Sequence, residues 1–251
     1  MQKNIKLLNT DCITWLNTCA NDVFDMCIAD PPYSSGGLMR SDVNSGSKSK
    51  YLRGTSQKSE ALISFEGDSR DQRSYLYWSQ LWMSEAIRAL KPGGLLLVFT
   101  DWRQLPITTD AVQSAGAVWR GIVPWYKQAS RPMADRYTSS CEYIIWATKG
   151  ARTVDMKDKE STYPEGFYQY RPPSDRIHAT EKPVELYKHL YNILRPNSAI
   201  LDPFLGSGNS AIAAHQSNRG HKFIGTELSE SVYEISKKRI DAACSQMMIP
   251  E

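Results

Sequence analysis

Two short segments of this 251-residue chain carry residue types suited to chemistry. The first is Asp30-Pro31-Pro32-Tyr33, set directly after the apolar run Met26-Cys27-Ile28-Ala29. Its carboxylate accepts hydrogen bonds, the prolines hold the backbone at a fixed φ, and the tyrosine ring offers a flat wall. Together they describe a small pocket for a planar, amine-bearing molecule such as a nucleobase. The second segment is Asp202-Pro203-Phe204-Leu205-Gly206-Ser207-Gly208-Asn209-Ser210, where Gly206 and Gly208 permit a tight turn and close approach of backbone to a ligand. It lacks the third glycine of the dinucleotide fingerprint and the lysine of a phosphate-binding loop. The next apolar run, Lys222 to Thr226, ends at Glu227. An acid at the end of the second strand of such a unit accepts hydrogen bonds from both ribose hydroxyls. Strand, glycine turn, helix, strand and acid, in that order, predict a nucleoside-bearing cofactor. Asp202 is open to two uses, holding a cationic amino group of the ligand or capping the turn. Phe204 either lies against the ligand or fills core.

The elements that must position these residues follow from the hydrophobic pattern. Short apolar runs at Val23–Ala29, Leu95–Thr100, Arg120–Trp125, Tyr143–Ala147, Ala199–Asp202 and Lys222–Thr226 read as strands. Between the first two, Trp78, Leu81, Trp82, Ala86, Ala89 and Leu90 recur at helical spacing, and Lys91-Pro92-Gly93-Gly94 stops that helix. Helices are also expected over Ala211–His215, from Pro183 to Leu194, and from Val232 to Ala243. This alternation predicts an α/β fold, a mostly parallel sheet with helices on both faces, in a single domain spanning 1–251. Two segments break the rhythm. Residues 36–75 are basic and poor in apolar anchors, and 151–177 carry Tyr163, Phe167, Tyr168 and Tyr170 without a clear period. Loops of that length are uncommon unless they are functional or disordered. The first is therefore open to two readings, a loop alone or a basic loop that holds phosphates near the Pro31-Pro32 corner.

Composition narrows the function classes. The five cysteines have no metal-ligand spacing, nor do the four histidines, so no metal is expected and the thiols are expected reduced. No apolar run is long enough for a membrane span and no signal-peptide pattern opens the chain, which predicts a soluble, cytoplasmic protein. The formal charge of +3 permits nucleic acid binding without arguing for it.

Together the two segments resemble the amino-methylating DNA methyltransferases, which modify adenine N6 or cytosine N4. Asp30-Pro31-Pro32-Tyr33 resembles their catalytic motif, Asp202 to Gly208 their cofactor motif, and Glu227 their ribose-binding acid. Thr180-Glu181-Lys182-Pro183 resembles the segment that closes over the methionine part of the cofactor, and Asp11-Cys12 stands where family members meet its adenine. Asn209 stands where many relatives carry Thr. Because position 30 precedes position 202, the order is similar to the permuted subgroup called beta; Lys91 to Gly94 and Glu142 to Gly150 are similar to it as well. The resemblance implies a Rossmann-like S-adenosylmethionine-dependent methyltransferase fold and S-adenosylmethionine as cofactor. It implies Asp30, Pro31, Pro32 and Tyr33 as catalytic residues. Asp11, Cys12, Asp30, Lys182, Pro183, Asp202, Phe204, Gly206, Ser207, Gly208, Asn209 and Glu227 become the expected cofactor site.

The implied activity is site-specific methylation of a flipped base in double-stranded DNA, as in restriction–modification systems. Asp30 and the Pro31 carbonyl would accept the two amine hydrogens while Tyr33 stacks on the base. Asp at the first motif position favours adenine N6, because relatives acting on cytosine N4 more often carry Ser; cytosine N4 stays open, as do RNA and, more weakly, a protein amide. A nucleotide-dependent oxidoreductase leaves the Asp30 corner unexplained, and a non-catalytic DNA-binding module predicts no cofactor binding. Trp102 is either a pocket wall or core. DNA contacts are expected from Arg40, Lys48, Lys50 and Arg53 in the basic insertion. Others are expected from Arg131, Arg136, Arg171 and Arg176 in and beside 151–177, the short candidate target-recognition segment. A homodimer is an expectation carried by the subgroup alone.

Overall fold

The computed structural model describes residues 4–34, 70–128, 130, 132, 134–152, 161–174 and 180–246. Its strands are β1 (Ile5–Asn9), β2 (Phe24–Ala29), β3 (Leu90–Thr100), β4 (Val118–Tyr126), β5 (Cys141–Thr148), β6 (Tyr168–Gln169), β7 (Ala199–Asp202) and β8 (Lys222–Glu227). Its helices are α1 (Cys12–Leu16), α2 (Gln72–Ala89), α3 (Leu105–Ser114), α4 (Val184–Leu190), α5 (Asn209–Gln216) and α6 (Glu230–Gln246). A single turn of 3-10 helix, Tyr191–Ile193, follows α4.

The strands form one sheet in the order β1-β8-β7-β2-β3-β5-β4-β6. Pairing is parallel except where β5 runs antiparallel to β3 and to β4. Along β3, Leu95, Leu97 and Phe99 face one side while Leu96 and Val98 face the other, and all are buried. A strand covered on both faces must be apolar at every position, which explains its unbroken run. The core on one side of the sheet includes Leu16 of α1, Trp82 and Met83 of α2, and Ala111 and Val112 of α3. The core on the other side includes Leu186 and Leu190 of α4, Ala213 of α5 and Ile240 of α6. The expected α/β architecture is present.

Local differences have local causes. Helix α2 begins at Gln72, so Gln72 to Tyr75, placed by the sequence pattern in the basic insertion, form its first turn. Asp71 caps it, accepting hydrogen bonds from the Arg73 and Ser74 amides at 2.9 and 3.0 Å. The β2–β3 register jumps from Phe24 opposite Leu90 to Met26 opposite Leu95, so residues 91–94 bulge from the ladder within β3; the helix stops earlier than expected, at Ala89, and Leu90 is the first residue of β3. Strands β1 and β6 lie outside the six expected from hydrophobic runs. Ile5–Asn9 interleaves Lys6 and Asn9 with its apolar residues, and Tyr168–Gln169 is only two residues long.

Candidate active site

Four carboxylates end four adjacent parallel strands. Asp11 follows β1, Glu227 closes β8, Asp202 closes β7 and Asp30 follows β2. The chain runs outward from β7 to β8 in one direction and from β2 to β3 in the other, so β7 and β2 flank the point where strand order reverses. Ligands of open α/β sheets bind in the crevice beyond the strand ends at such a point. The two segments that the sequence separates are therefore neighbours, with Cys27 beside Leu201.

A cavity of about 320 Å³ opens there. Of the residues expected at the cofactor, Asp11, Cys12, Asp30, Lys182, Phe204, Gly206, Ser207, Asn209 and Glu227 line it, along with Pro31, Pro32 and Tyr33. Asp202, Gly208 and Pro183 stand behind the wall. Asp202 caps the turn, accepting hydrogen bonds from the Phe204 amide at 2.9 Å and from the Ser210 hydroxyl. Gly208 has φ 84°, and Pro183 caps α4. Phe204 serves both of its open readings, with one face edge-on to Trp82 at 5.1 Å and another on the cavity.

Each polar group in the wall has a defined partner. Glu227 accepts the Gly206 amide on one oxygen and the Ser229 amide on the other, both at 3.0 Å, and burial raises its pKa. Asn209 donates to Glu181 Oε1 and to the Lys182 carbonyl, each at 2.8 Å, which fixes the amide orientation. Its Oδ1 is buried without a partner among the described residues. Glu181 is held in turn by Arg239 at 2.9 Å, whose other nitrogen donates to the Ser207 carbonyl at 2.7 Å. Burial, reinforced by Asp11, pushes the Cys12 thiol up to about 12, so it is a neutral wall rather than a nucleophile.

Asp30 sits in an ionic cluster. Lys182 Nζ reaches Asp30 Oδ1 at 2.7 Å and Oδ2 at 2.8 Å, and Glu142 Oε2 at 3.2 Å. The Tyr33 hydroxyl lies 2.9 Å from Asp30 Oδ1 and 3.0 Å from Glu142 Oε2. Lys127 reaches Glu142 Oε1 at 3.1 Å. The Lys182 side chain is 1% exposed, its ammonium 5.0 Å from the Tyr33 ring centre and 5.5 Å from that of Phe99. Burial raises the Asp30 pKa against the pull of Lys182. Glu142 is buried too, but Lys182 and Lys127 outweigh burial and lower its pKa. For Lys182, the two carboxylates outweigh burial and raise it.

A second cavity of about 330 Å³ shares Tyr33, Thr180 and Glu181 with the first, and Glu142, Lys127, Trp102, Trp125 and Pro172 line it as well. Trp102 is half exposed and carries Arg103 over its ring at 4.6 Å, so it is a wall of this cavity and not core. Of the expected DNA contacts, Arg136 and Arg171 are exposed, the latter next to Pro172 on this rim. Arg40, Lys48, Lys50, Arg53, Arg131 and Arg176 lie outside the described residues.

Sequence reasoning missed Lys127, Arg239 and Trp78, and named Glu142, Glu181 and Arg70 only within longer segments without a site role of their own; Trp78, Arg70 and Glu181 line the first cavity. An acid at the head of the run Tyr143–Ala147 and a lysine just after Trp125-Tyr126 were the available signals, since strand ends form this site. No group of His, Cys, Asp and Glu among the described residues could hold a metal ion, and no helix among them is long and apolar enough to cross a membrane.

Comparison with known proteins agrees with this layout. The profile of the DNA methylase family matches residues 24–238. A type II methyltransferase of Lactococcus lactis subsp. cremoris, M2.LlaDCHI, is 27% identical over 259 residues, spanning 96% of this chain and 90% of its own. The crystal structure of M1.HpyAVI complexed with SAM superposes with a TM-score of 0.66 at 21% identity, covering 94% of this chain and 99% of that one. The PvuII DNA methyltransferase, described as cytosine-N4-specific, gives 0.68 at 13% identity, covering 98% and 93%. Strand-end acids, glycine turn, permuted order and family profile lead to one assignment: the chain belongs to the DNA methylase family whose members modify adenine N6 or cytosine N4.

Proposed function

We propose that this protein transfers a methyl group from S-adenosylmethionine to the N6 amine of an adenine flipped out of double-stranded DNA, as the modification enzyme of a restriction–modification pair. The observation that carries the reading is the position of Asp30. Its carboxylate lies on the wall of a nucleoside-sized cavity, partly buried and held by Lys182 and Tyr33, and still has room for a donor. Oδ1 lies within hydrogen-bond reach of both Tyr33 and Lys182, whereas Oδ2 meets Lys182 alone and keeps an acceptor position.

The residues present fit the cofactor. Glu227 has an acceptor position left on each oxygen for the two ribose hydroxyls, and the partnerless Asn209 Oδ1 suits an ammonium group. Cys12, Leu228 and Val232 give a wall for the adenine ring. When bound, the cofactor supplies an electrophilic methyl group on a sulfonium. Asp30 Oδ2 and the Pro31 carbonyl accept the two hydrogens of the substrate amine, turning its delocalised lone pair out of the ring plane. Held in this orientation, the nitrogen would face the methyl carbon in line as the S–C bond breaks to leave a neutral thioether, and Asp30 Oδ2 would accept the proton that the methylated amine sheds. Orientation and fixed dipoles of this kind are worth several kcal/mol. The ring of Tyr33, which lines both cavities, stacks on the base, and Trp102 and Trp125 enclose it. Adenine is favoured by Asp at the first motif position, a choice that rests on the resemblance.

The test supplies purified protein with labelled S-adenosylmethionine and duplex DNA of varied sequence, then identifies the methylated nucleoside. N6-methyladenine is expected. N4-methylcytosine alone would overturn the choice of base, and a cofactor-binding protein that transfers nothing to DNA would overturn the activity.

A further inference from the structure

The ionic cluster around Asp30 is short of hydrogens. Tyr33 has one to donate, yet its oxygen lies within hydrogen-bond distance of both Asp30 Oδ1 and Glu142 Oε2. Lys182 has three and faces both Asp30 oxygens, Glu142 Oε2 and the Thr180 carbonyl at 3.2 Å. An incoming amine brings one more hydrogen to Asp30, at Oδ2, and its other to the Pro31 carbonyl. The Tyr33 hydrogen is then better placed on Glu142, because on Asp30 Oδ1 it draws charge from the carboxylate and weakens Oδ2 as the acceptor.

We propose that Glu142 is a positioning residue for the transfer: it takes the Tyr33 hydrogen bond and so leaves Asp30 the stronger acceptor for a hydrogen of the substrate amine. The proposal rests on the reading of Asp30 as the amine acceptor. Lys127, just after β4, supports it, since an ammonium 3.1 Å from Glu142 Oε1 leaves Oε2 as the oxygen turned to Tyr33. The other charged and titratable groups around the cluster are Asp202 from β7, Tyr187 from α4 and Tyr75 from α2, with Asp101 and Arg103 on the rim of the second cavity.

The proposal is tested with Glu142→Gln, whose neutral amide oxygen is a weaker acceptor than a carboxylate and so shifts the phenol hydrogen toward Asp30. Expected is a fall in kcat of roughly tenfold, the scale of one misdirected hydrogen bond, with cofactor affinity unchanged within about twofold. Removing a negative charge beside Asp30 also makes that carboxylate easier to ionise, so the acid limb of the kcat–pH profile moves to lower pH. Glu142→Asp keeps the charge and holds the limb in place. In a Tyr33→Phe background there is no phenol hydrogen to direct, and adding Glu142→Gln lowers the plateau kcat no further. An unchanged plateau in Glu142→Gln, an unmoved acid limb, or the same tenfold loss in both backgrounds would overturn the proposal. A wild-type protein that methylates no DNA removes the underlying reading, whereas normal methylation by Glu142→Gln removes this inference alone.

Discussion

Asp202 shows what a single buried charge does to this site. Burial pushes its carboxyl up to about 7 despite hydrogen bonds from Ser210 and the Phe204 amide. A folded-state value above the unfolded one means that the native chain prefers the protonated form. The stability contributed is full at low pH and is lost as pH rises toward about 7. A cationic ligand held at Asn209, next to Asp202's partner Ser210, acts through the low-dielectric wall and favours the carboxylate. Cofactor binding should therefore release a proton below about pH 7, and affinity should climb with pH up to that point and then level off. Asp202→Asn should abolish both effects and make the ligand-free protein relatively more stable at pH 8 than the wild type. Calorimetry in buffers of different ionisation enthalpy, together with thermal melts across pH, checks both. Asp202 was legible as a site residue from its place before the glycine turn, but its choice of capping the turn was not. That depended on where Ser210 and the Phe204 amide come to lie.

At the scale of elements, the turn between β7 and α5 is held open by backbone that only glycine adopts easily. Gly208 has φ 84°, and a Cβ there would lie 2.8 Å from Ile240 Cδ1 on α6. Gly208→Ala should cost about 1–2 kcal/mol for the left-handed backbone and about 1–3 kcal/mol for overpacking, with a lower Tm and weaker cofactor binding. Adding Ile240→Ala should relieve the crowding but not the backbone strain. Full recovery of the turn's geometry in the double variant would show that backbone strain was absent. The strand–turn–helix–strand order was readable because apolar runs and glycines are local signals. Strand β6 was not, since two residues carry no periodicity; it exists because Trp125 and Tyr126 offer a free strand edge.

Over the whole molecule, the formal charge of +3 is too small for a uniformly basic surface, so DNA attraction must come from placed cations. Arg171 sits exposed beside Pro172 on the rim of the second cavity, and Arg136 is exposed as well. If each neutralises one phosphate, Arg171→Ala and Arg136→Ala should each reduce the slope of log affinity against log salt by about 0.9, without changing the base that is methylated. A slope equal to that of the wild type would place the DNA path elsewhere.

The sequence by itself determined that Asp30, Asp202 and Glu227 stand at strand ends, each after an apolar run and one of them before a glycine turn, whereas Asp11 was marked by the resemblance and its strand only by the structure. These relations are local, so hydrophobic periodicity and turn chemistry were enough to read them. Only the tertiary structure decided what surrounds Asp30. Because β5 runs antiparallel to β3, its first residues, not its last, reach the edge of the sheet where the parallel strands end, and this carries Glu142 to Tyr33 and Lys182. Lys182, expected at the cofactor, spends its charge on two carboxylates for the same reason: the desolvation of all three groups in one buried space makes their pairing the stable arrangement.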